Sequence, residues 1–343
     1  IDAVVEQLTG DTNVKVVVEP IASHITKFNV KQKIVDNSWA DPVDMTTGAY
    51  TDQVPGMSVT GESPLTLNLN YNSLNASEKG QLGYGWSHDF EAYLDVKSTV
   101  INVHWNPTAY SSFVDERSAT RNVNGEIIDG RLVLHKPNDT GVKNYVCISS
   151  GMSEYFMSRD ENNIYTLEIP DGQKYVFDSD GKLIQIIQPN EKTVTLEHIG
   201  NTTVITEDVS GAKLVLNYND SGLLTSVGDG NGRITSITYE NDLIKSVTNP
   251  LGETVVYTYD ANNRLVTSAL DGNSPYVTNT YDEEGRVLTQ DDADPDTPLS
   301  YFSYSESENN EFIVDGIDRN GNTVKYVSDG MGHLLSEIGR AHV

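Results

Sequence analysis

The sequence predicts an all-β fold of tandem antiparallel β-hairpins, on three observations. Apolar and polar residues alternate in short runs rich in Val, Ile, Thr and Tyr, as in residues 213–218 and 254–259, which is typical of strands with one buried face. Clusters of Gly, Asn, Asp and Pro separate these runs and indicate turns. A tyrosine recurs every 20 to 23 residues, counting a degenerate unit at His198: Tyr155, Tyr175, Tyr218, Tyr239, Tyr259, Tyr281, Tyr304 and Tyr326.

The clearest copies of the repeat predict the shape of their own hairpin loops. These copies are Tyr218–Leu224, Tyr259–Leu265 and Tyr281–Val287. A three-residue hairpin loop needs a left-handed residue at its third position, where Gly and Asn are the least strained residues. Gly222, Asn263 and Gly285 are therefore the expected third loop residues.

That loop fixes a register across each hairpin. Cross-strand aromatic–aliphatic and opposite-charge pairs stabilise a sheet by roughly 0.2–1 kcal/mol each. The expected pairs are Asp260 with Arg264, Asp282 with Arg286, Tyr259 with Leu265 and Tyr281 with Val287.

Two other copies have a different spacing. Gly181 and Gly332 lie six residues after Tyr175 and Tyr326, which predicts the same hairpin with a loop two residues longer. Because a single hairpin is marginal in water, neighbouring copies must pair edge to edge.

The composition of the chain disfavours two classes of function, nucleic-acid binding and membrane insertion. The chain has 343 residues, a formal net charge of −27 and an apolar fraction of 37%. Such an acidic surface repels nucleic acid and anionic membranes, and no apolar run is long enough for a transmembrane helix. Neither nucleic acid nor membrane insertion is therefore expected. The single cysteine, Cys147, lies in an alternating run and is interpreted as an inert strand residue.

Candidate chemistry is sparse, and neither catalysis nor a cofactor is predicted. Ser87 and His88 are adjacent, but neighbours on a strand point to opposite faces, which disfavours a nucleophile–base pair. The seven histidines show no zinc-binding spacing, and phosphate-loop and dinucleotide motifs are lacking. The dense acidic stretch Asp291–Asp296 is interpreted as a solvated loop, with weak calcium binding as the alternative.

The organisation along the chain follows the repeat. Residues 1–40 do not repeat and are interpreted as the tail of a preceding domain or a linker. Residues 41–153 form a strand-rich region without the short period, and residues 154–336 form the hairpin array. Residues 337–343 break the pattern and are interpreted as a non-native tail.

The repeat Tyr-Asp-x-x-Gly-Arg-Leu resembles the YD repeat of the rearrangement-hotspot (RHS) family. Two upstream segments resemble motifs that precede the repeats in that family. The first runs from Asp41-Pro42 to Gly48, and the second contains Gly83, Gly85, Trp86 and Ser87. Trp86 is expected to be a core residue, with sugar stacking as the alternative.

This resemblance implies a spiral β-shell fragment from a large secreted or cell-wall-associated bacterial protein. Such shells enclose or present a C-terminal toxin, so the expected partner is the chain's own C-terminal region. The alternative is an extracellular carbohydrate-binding or adhesion module. Residues 249–252, Asn-Pro-Leu-Gly, partly match the family's autocleavage motif but are interpreted as a turn.

Overall fold

The structure is a computed structural model. It describes residues 38–39, 43–60, 65–98, 100–116, 142–149, 152–292, 299–329 and 332–339. The predictions for Asp41, Pro42, most of residues 1–40 and most of the Asp291–Asp296 stretch lie outside the described residues.

Strands account for nearly all regular structure in these ranges. Among the described residues, a single turn of 3-10 helix, Ser73–Asn75, is the one complete helical element. The strands are β1 (Ser38–Trp39), β2 (Val43–Asp44), β3 (Thr51–Val59), β4 (Leu65–Asn72), β5 (Lys79–Gly80), β6 (Gly83–Tyr84), β7 (Trp86–His88), β8 (Tyr93–Val96), β9 (Val100–His104), β10 (Tyr110–Asp115), β11 (Lys143–Cys147), β12 (Phe156–Arg159), β13 (Tyr165–Glu168), β14 (Lys174–Phe177), β15 (Leu183–Ile187), β16 (Thr193–Ile199), β17 (Thr202–Glu207), β18 (Lys213–Tyr218), β19 (Leu224–Gly228), β20 (Ile234–Glu240), β21 (Leu243–Thr248), β22 (Thr254–Tyr259), β23 (Leu265–Leu270), β24 (Val277–Tyr281), β25 (Val287–Asp292), β26 (Ser300–Glu306), β27 (Phe312–Ile317), β28 (Thr323–Ser328) and β29 (Leu334–Gly339).

The 22 strands from β8 to β29 hydrogen-bond in chain order. Successive strands are antiparallel, as in the β22–β23 and β24–β25 hairpins. No strand pairing between described residues returns from β29 to β8, so the sheet is open. The predicted all-β fold of tandem antiparallel hairpins is confirmed.

The backbone divides into two compact units. In the first, residues 92–105 and 109–196, alternate side chains of β9, β10 and β13 are buried. Its core includes Val103, Phe113 and Leu167, and the Trp105 ring meets Tyr175 edge-on at 5.1 Å between centroids.

The second unit contains described residues 43–91, 106–108 and 197–339. Its repeats run from β17 to β29. A separate three-stranded antiparallel sheet has the order β3-β4-β7. Every second side chain of β4 is buried, from Leu65 through Leu67 and Leu69 to Tyr71, which is the pattern of a strand with one apolar face.

The predicted three-residue loops are confirmed in the clearest repeats. Gly222, Asn263 and Gly285 have φ values of 77°, 63° and 87°. Tyr218 pairs with Leu224, Tyr259 with Leu265 and Tyr281 with Val287. In each hairpin the register shifts between the tyrosine and the residue before it. One extra residue in the second strand of each hairpin causes that shift, which is the geometry of a β-bulge.

The longer loop predicted after Tyr175 and Tyr326 is wrong. Phe177 pairs with Leu183, and Ser328 pairs with Leu334. Loop hydrogen bonds then join Asp178 to Lys182 and Asp329 to His333, as in the other three-residue loops. The loop length is therefore unchanged, and Tyr175 and Tyr326 lie in the first strand of the hairpin, two residues before the position that tyrosine occupies in the clearest repeats.

The hairpin at Tyr239 uses a different turn. Tyr239 pairs with Ile244, and Glu240 pairs directly with Leu243. The two residues between them, Asn241 and Asp242, have φ values of 54° and 63°, as a two-residue type I′ turn requires.

Candidate functional site: the tyrosine ladder and its capping segment

Hydroxyl groups of the repeat tyrosines tie each hairpin to the one before it. Tyr239 donates to the carbonyl of Leu224 at 2.6 Å, and Tyr259 donates to that of Ile244 at 2.9 Å. The series continues with Tyr281 to Leu265 and Tyr304 to Val287, both at 2.5 Å. We call these four tyrosines the tyrosine ladder.

The acceptors of the ladder occupy equivalent positions. Each is the residue that pairs with the previous repeat tyrosine just after the loop, as Leu265 pairs with Tyr259. Burial raises the pKa of Tyr259 and Tyr281 well above the ordinary tyrosine value. The ladder hydroxyls therefore stay protonated and remain donors over the ordinary pH range.

The Asp and Arg of the motif hold the loop and reach the next repeat. Asp260 accepts backbone N–H bonds from Asn262 and Arg264, both at 2.9 Å, and such local capping is typical of Asp in turns. The Arg264 Nε donates to Asp260 at 2.7 Å. Its guanidinium also donates to the Asp282 carbonyl and lies 5.2 Å from the centre of the Tyr281 ring.

The next copy repeats this arrangement. Arg286 bonds Asp282 at 2.6 Å, and its guanidinium lies 4.6 Å from the centre of the Tyr304 ring. The predicted pairing of Asp282 with Arg286, like that of Asp260 with Arg264, is confirmed. Both ion pairs are partly buried. In each, the arginine also makes a cation–π contact with the tyrosine of the next repeat.

Residues 43–60 and 65–91 form what we call the capping segment, which supplies partners for the backbone at the repeat loops. The N–H of Leu224 donates to the Gln81 carbonyl at 2.8 Å, and that of Val287 donates to the Gly48 carbonyl at 2.9 Å. The Leu265 N–H donates to the Tyr71 hydroxyl at 2.8 Å. One non-repeating segment thus contacts the loops of all three of the clearest repeats.

The glycines of the upstream motifs allow close approach at these contacts. Gly83 has a φ of 83°, and a Cβ there would lie 2.0 Å from the Asp242 carbonyl oxygen. Gly48, at φ 77°, lies against the Tyr304 ring, and Gly85, at φ 76°, lies against the Tyr71 ring. Both the backbone conformation and the space therefore require glycine.

Trp86 is a core residue, as predicted. It is 1% exposed and packs against Tyr71 and Tyr257, with ring centroids 5.2 Å apart in both cases. Its indole N–H donates to the Tyr259 hydroxyl at 3.0 Å. Because its ring is enclosed, Trp86 offers no face for sugar stacking.

Ser87 and His88 do not form a catalytic pair. His88 is buried, its Nδ1 accepts the Phe90 N–H at 3.2 Å, and its Nε2 lies 3.1 Å from Gln81 Oε1. Burial lowers the pKa of His88 to about 3. Ser87 instead points at the Asn70 carbonyl, at 3.5 Å. The imidazole is thus neutral and bonded on both nitrogens.

Other candidate chemistry adds no site among the described residues. Burial raises the pKa of the Cys147 thiol to about 11, which suppresses the reactive thiolate. The described ranges contain no cluster of His, Cys, Asp and Glu suited to a metal ion. They also contain no helix long and apolar enough to cross a membrane.

A row of polar residues on the buried face of the repeats was not predicted from the sequence. Ser268, Asn279, Gln290 and Ser300 are each at most 1% exposed. Asn279 pairs with Gln290, which pairs with Ser300, and the Gln290 amide donates to Asn279 at 3.0 Å. The signal was present, because these polar residues occupy inward positions of alternating strands.

Fold and ladder define a tandem β-hairpin repeat protein, and comparison with known families names the repeat. Residues 239–276 match the RHS Repeat model. Residues 40–112, which include the whole capping segment, match a domain of unknown function, DUF6531. The chain therefore contains RHS, or YD, repeats.

Similar proteins extend well beyond this chain. Double-stranded DNA deaminase toxin A of Burkholderia cenocepacia (strain H111) is 25% identical over 289 residues, covering 75% of this chain and 18% of that protein. The chain thus spans less than a fifth of the curated relative.

Two solved structures also match weakly. The crystal structure of TcdB2-TccC3-TEV matches 83% of this chain and 17% of its own, with 10% identity and a TM-score of 0.32. TcdB2-TccC3 without the hypervariable C-terminal region matches 79% and 19%, with 8% identity and a TM-score of 0.20.

Proposed function

We propose that this chain is a non-catalytic wall segment of a larger, secreted or cell-surface bacterial protein. The wall encloses or presents a toxin or effector region of the same parent protein, and that region is its partner. The curated relative is named as a toxin and is several times longer than the matched stretch, which supports this role. Neither a cofactor nor nucleic acid has a part in it.

The observation that carries the proposal is how the motif residues are used. The hydroxyls of Tyr259 and Tyr281 and the guanidinium of Arg264 each bond to the structure of a neighbouring repeat. These groups are engaged in joining hairpins and are not directed at a common point where a substrate could react. A wall needs such lateral bonds along its whole length, whereas an active site needs them to converge.

Protease protection in the full-length parent protein tests the proposal. We compare the wild type, a Tyr259→Phe/Tyr281→Phe variant that cuts two rungs of the ladder, and Tyr301→Phe as control. Tyr301 is 48% exposed and lies outside the ladder. The region beyond the repeats should resist digestion in the wild type and control and be cut faster in the double variant. Rapid digestion of this region in the folded wild type would contradict enclosure, and equal resistance in all three proteins would show that the ladder does not maintain the wall.

A carbohydrate-binding or adhesion role remains the second candidate, and one observation favours it. Tyr93, His104 and Tyr110 pair directly across β8, β9 and β10. Their ring centroids lie 4.5 and 5.4 Å apart, and both tyrosines are exposed. Glycan-array binding that disappears in Tyr93→Ala and Tyr110→Ala would support this role, and an array with no binding would count against it.

A further inference from the structure

Glu91, the last residue of the capping segment, is a buried carboxyl group with unmet hydrogen-bonding capacity. Its residue is 4% exposed. Neither carboxyl oxygen has a hydrogen-bond partner of ordinary geometry, and neither is in contact with solvent. An ionised carboxylate in such a place would lose its hydration without compensation, which costs several kcal/mol.

Among the described groups that influence the pKa of Glu91, none is a cation. Burial is the largest influence and raises this pKa well above the ordinary value; a polar contact with the His88 backbone opposes the shift, and the nearby Asp89 charge adds to it. From the repeats, the buried Tyr218 on β18 interacts electrostatically with Glu91, so that an ionised Glu91 would raise the pKa of this phenol further. His88, on the same segment, is neutral.

Glu91 lies where its ionisation would affect the contact between the capping segment and the repeats. It lies three residues after the end of β7, which pairs with β4 and carries Trp86 to the ladder. Its electrostatic interaction with Tyr218 links it to the hairpin in which the Leu224 N–H donates to the Gln81 carbonyl. An ion at position 91 would therefore act on the end of the capping segment that covers the first clear repeat.

We propose that Glu91 is a proton-operated latch, neutral while the capping segment is docked on the repeats and released by its own ionisation. In the docked state the buried carboxyl keeps its proton. Loss of that proton to solvent leaves an anion that can be hydrated only if this end of the segment moves outward. Acid conditions thus hold the segment closed, and alkaline conditions loosen it. This inference does not depend on the proposed wall function.

The pH dependence of unfolding tests the latch. A carboxyl with a raised folded-state pKa stays protonated in the folded state after it has ionised in the unfolded state. Stability is then lost as the pH rises from the unfolded pKa towards the folded one. The isosteric Glu91→Gln variant cannot ionise. Its unfolding constant relative to wild type should fall by up to about tenfold per pH unit in that window.

Glu283→Gln is the matched control, because Glu283 is exposed and the substitution removes the same charge. It should follow the wild-type pH dependence. Hydrogen exchange then locates the opening. At alkaline pH the Leu224 amide and the Tyr84 amide, which donates to the Asp242 carbonyl at 3.3 Å, should exchange faster in wild type than in Glu91→Gln. Equal pH dependence and equal exchange in the two proteins would overturn the proposal.

An infrared titration of the wild type keeps the test independent of the variant's folding. A docked, protonated Glu91 should give a carboxylic-acid carbonyl band that survives at neutral pH and disappears on alkaline titration, together with the rise in Leu224 exchange. Absence of any protonated carboxyl band at neutral pH in the folded wild type would show that Glu91 is ionised, and the latch would be refuted.

Discussion

Removal of single hydroxyl groups from the tyrosine ladder should destabilise the fold in a defined order. In Tyr281→Phe the Leu265 carbonyl loses its donor at 2.5 Å. Tyr259→Phe removes two bonds, the one to the Ile244 carbonyl at 2.9 Å and the one from the Trp86 indole at 3.0 Å. Tyr301→Phe, at an exposed position, removes no ladder bond.

The structure sets the expected magnitudes. A buried polar group left without a partner costs about 1–3 kcal/mol. Tyr281→Phe leaves one such group without a partner, and Tyr259→Phe leaves two, so we expect about 1–3 and about 2–6 kcal/mol respectively. The exposed control should change the free energy of unfolding by less than about 0.5 kcal/mol. Ring packing is kept in all three variants.

Urea unfolding followed by far-ultraviolet circular dichroism measures these differences without relying on Trp86 fluorescence. The midpoint should shift while the slope with denaturant stays constant, because the surface exposed on unfolding is unchanged. If Tyr259→Phe is no less stable than Tyr301→Phe, the hydroxyls do not bear on stability, and the ladder is only a geometric regularity.

Four further substitutions test other contacts. Gly222→Ala, in open space at φ 77°, should cost about 1–2 kcal/mol from backbone strain, whereas Gly83→Ala should cost about 1–3 kcal/mol more because its Cβ meets the Asp242 carbonyl; thermal unfolding compares them. His88, with its folded pKa lowered to about 3, should lose stability as the pH falls below about 6.5, and His88→Gln should flatten that decline in urea titrations. Arg286→Lys should cost about 1 kcal/mol through the lost ring contact, measured by the same titrations.

What the sequence predicted well was encoded locally. The strand period, the left-handed loop residues and the Tyr259–Leu265 pairing all follow from residues within one hairpin. The error at Tyr175 and Tyr326 came from treating tyrosine as the anchor. The aspartate determines the register, because Asp178 caps its loop by accepting N–H bonds from Asp180 and Lys182 at 2.9 Å. A phenylalanine or serine can precede that aspartate without altering the loop.

The site itself was not predictable from local patterns. The contact of Leu265 with Tyr71 spans 194 residues, and that of Ser73 with Gly285 spans 212. The motif glycines at Gly48, Gly83 and Gly85 were visible in the sequence, but nothing local indicates which backbone or ring they approach. Likewise, Glu91 looks like any surface glutamate until the surrounding β-strands are in place.

The order of these long-range contacts indicates that each contact residue of the capping segment is matched to one particular repeat. Gln81, Tyr71 and Gly48 bond Leu224, Leu265 and Val287 in turn, so the segment runs opposite to the chain direction of the array. Deletion of residues 259–280, one repeat, would leave every local hairpin intact but move Val287 away from Gly48.

In a simple linear repeat array such a deletion removes one interface and little else. Here we expect the stability loss measured by urea unfolding to exceed that of deleting residues 304–325. Among the described contacts that stretch meets the capping segment through Tyr304 at Gly48, and its own loop at Asn310 has no bond to it. If both deletions lower the free energy of unfolding equally, the contacts of the capping segment do not depend on which repeat they meet.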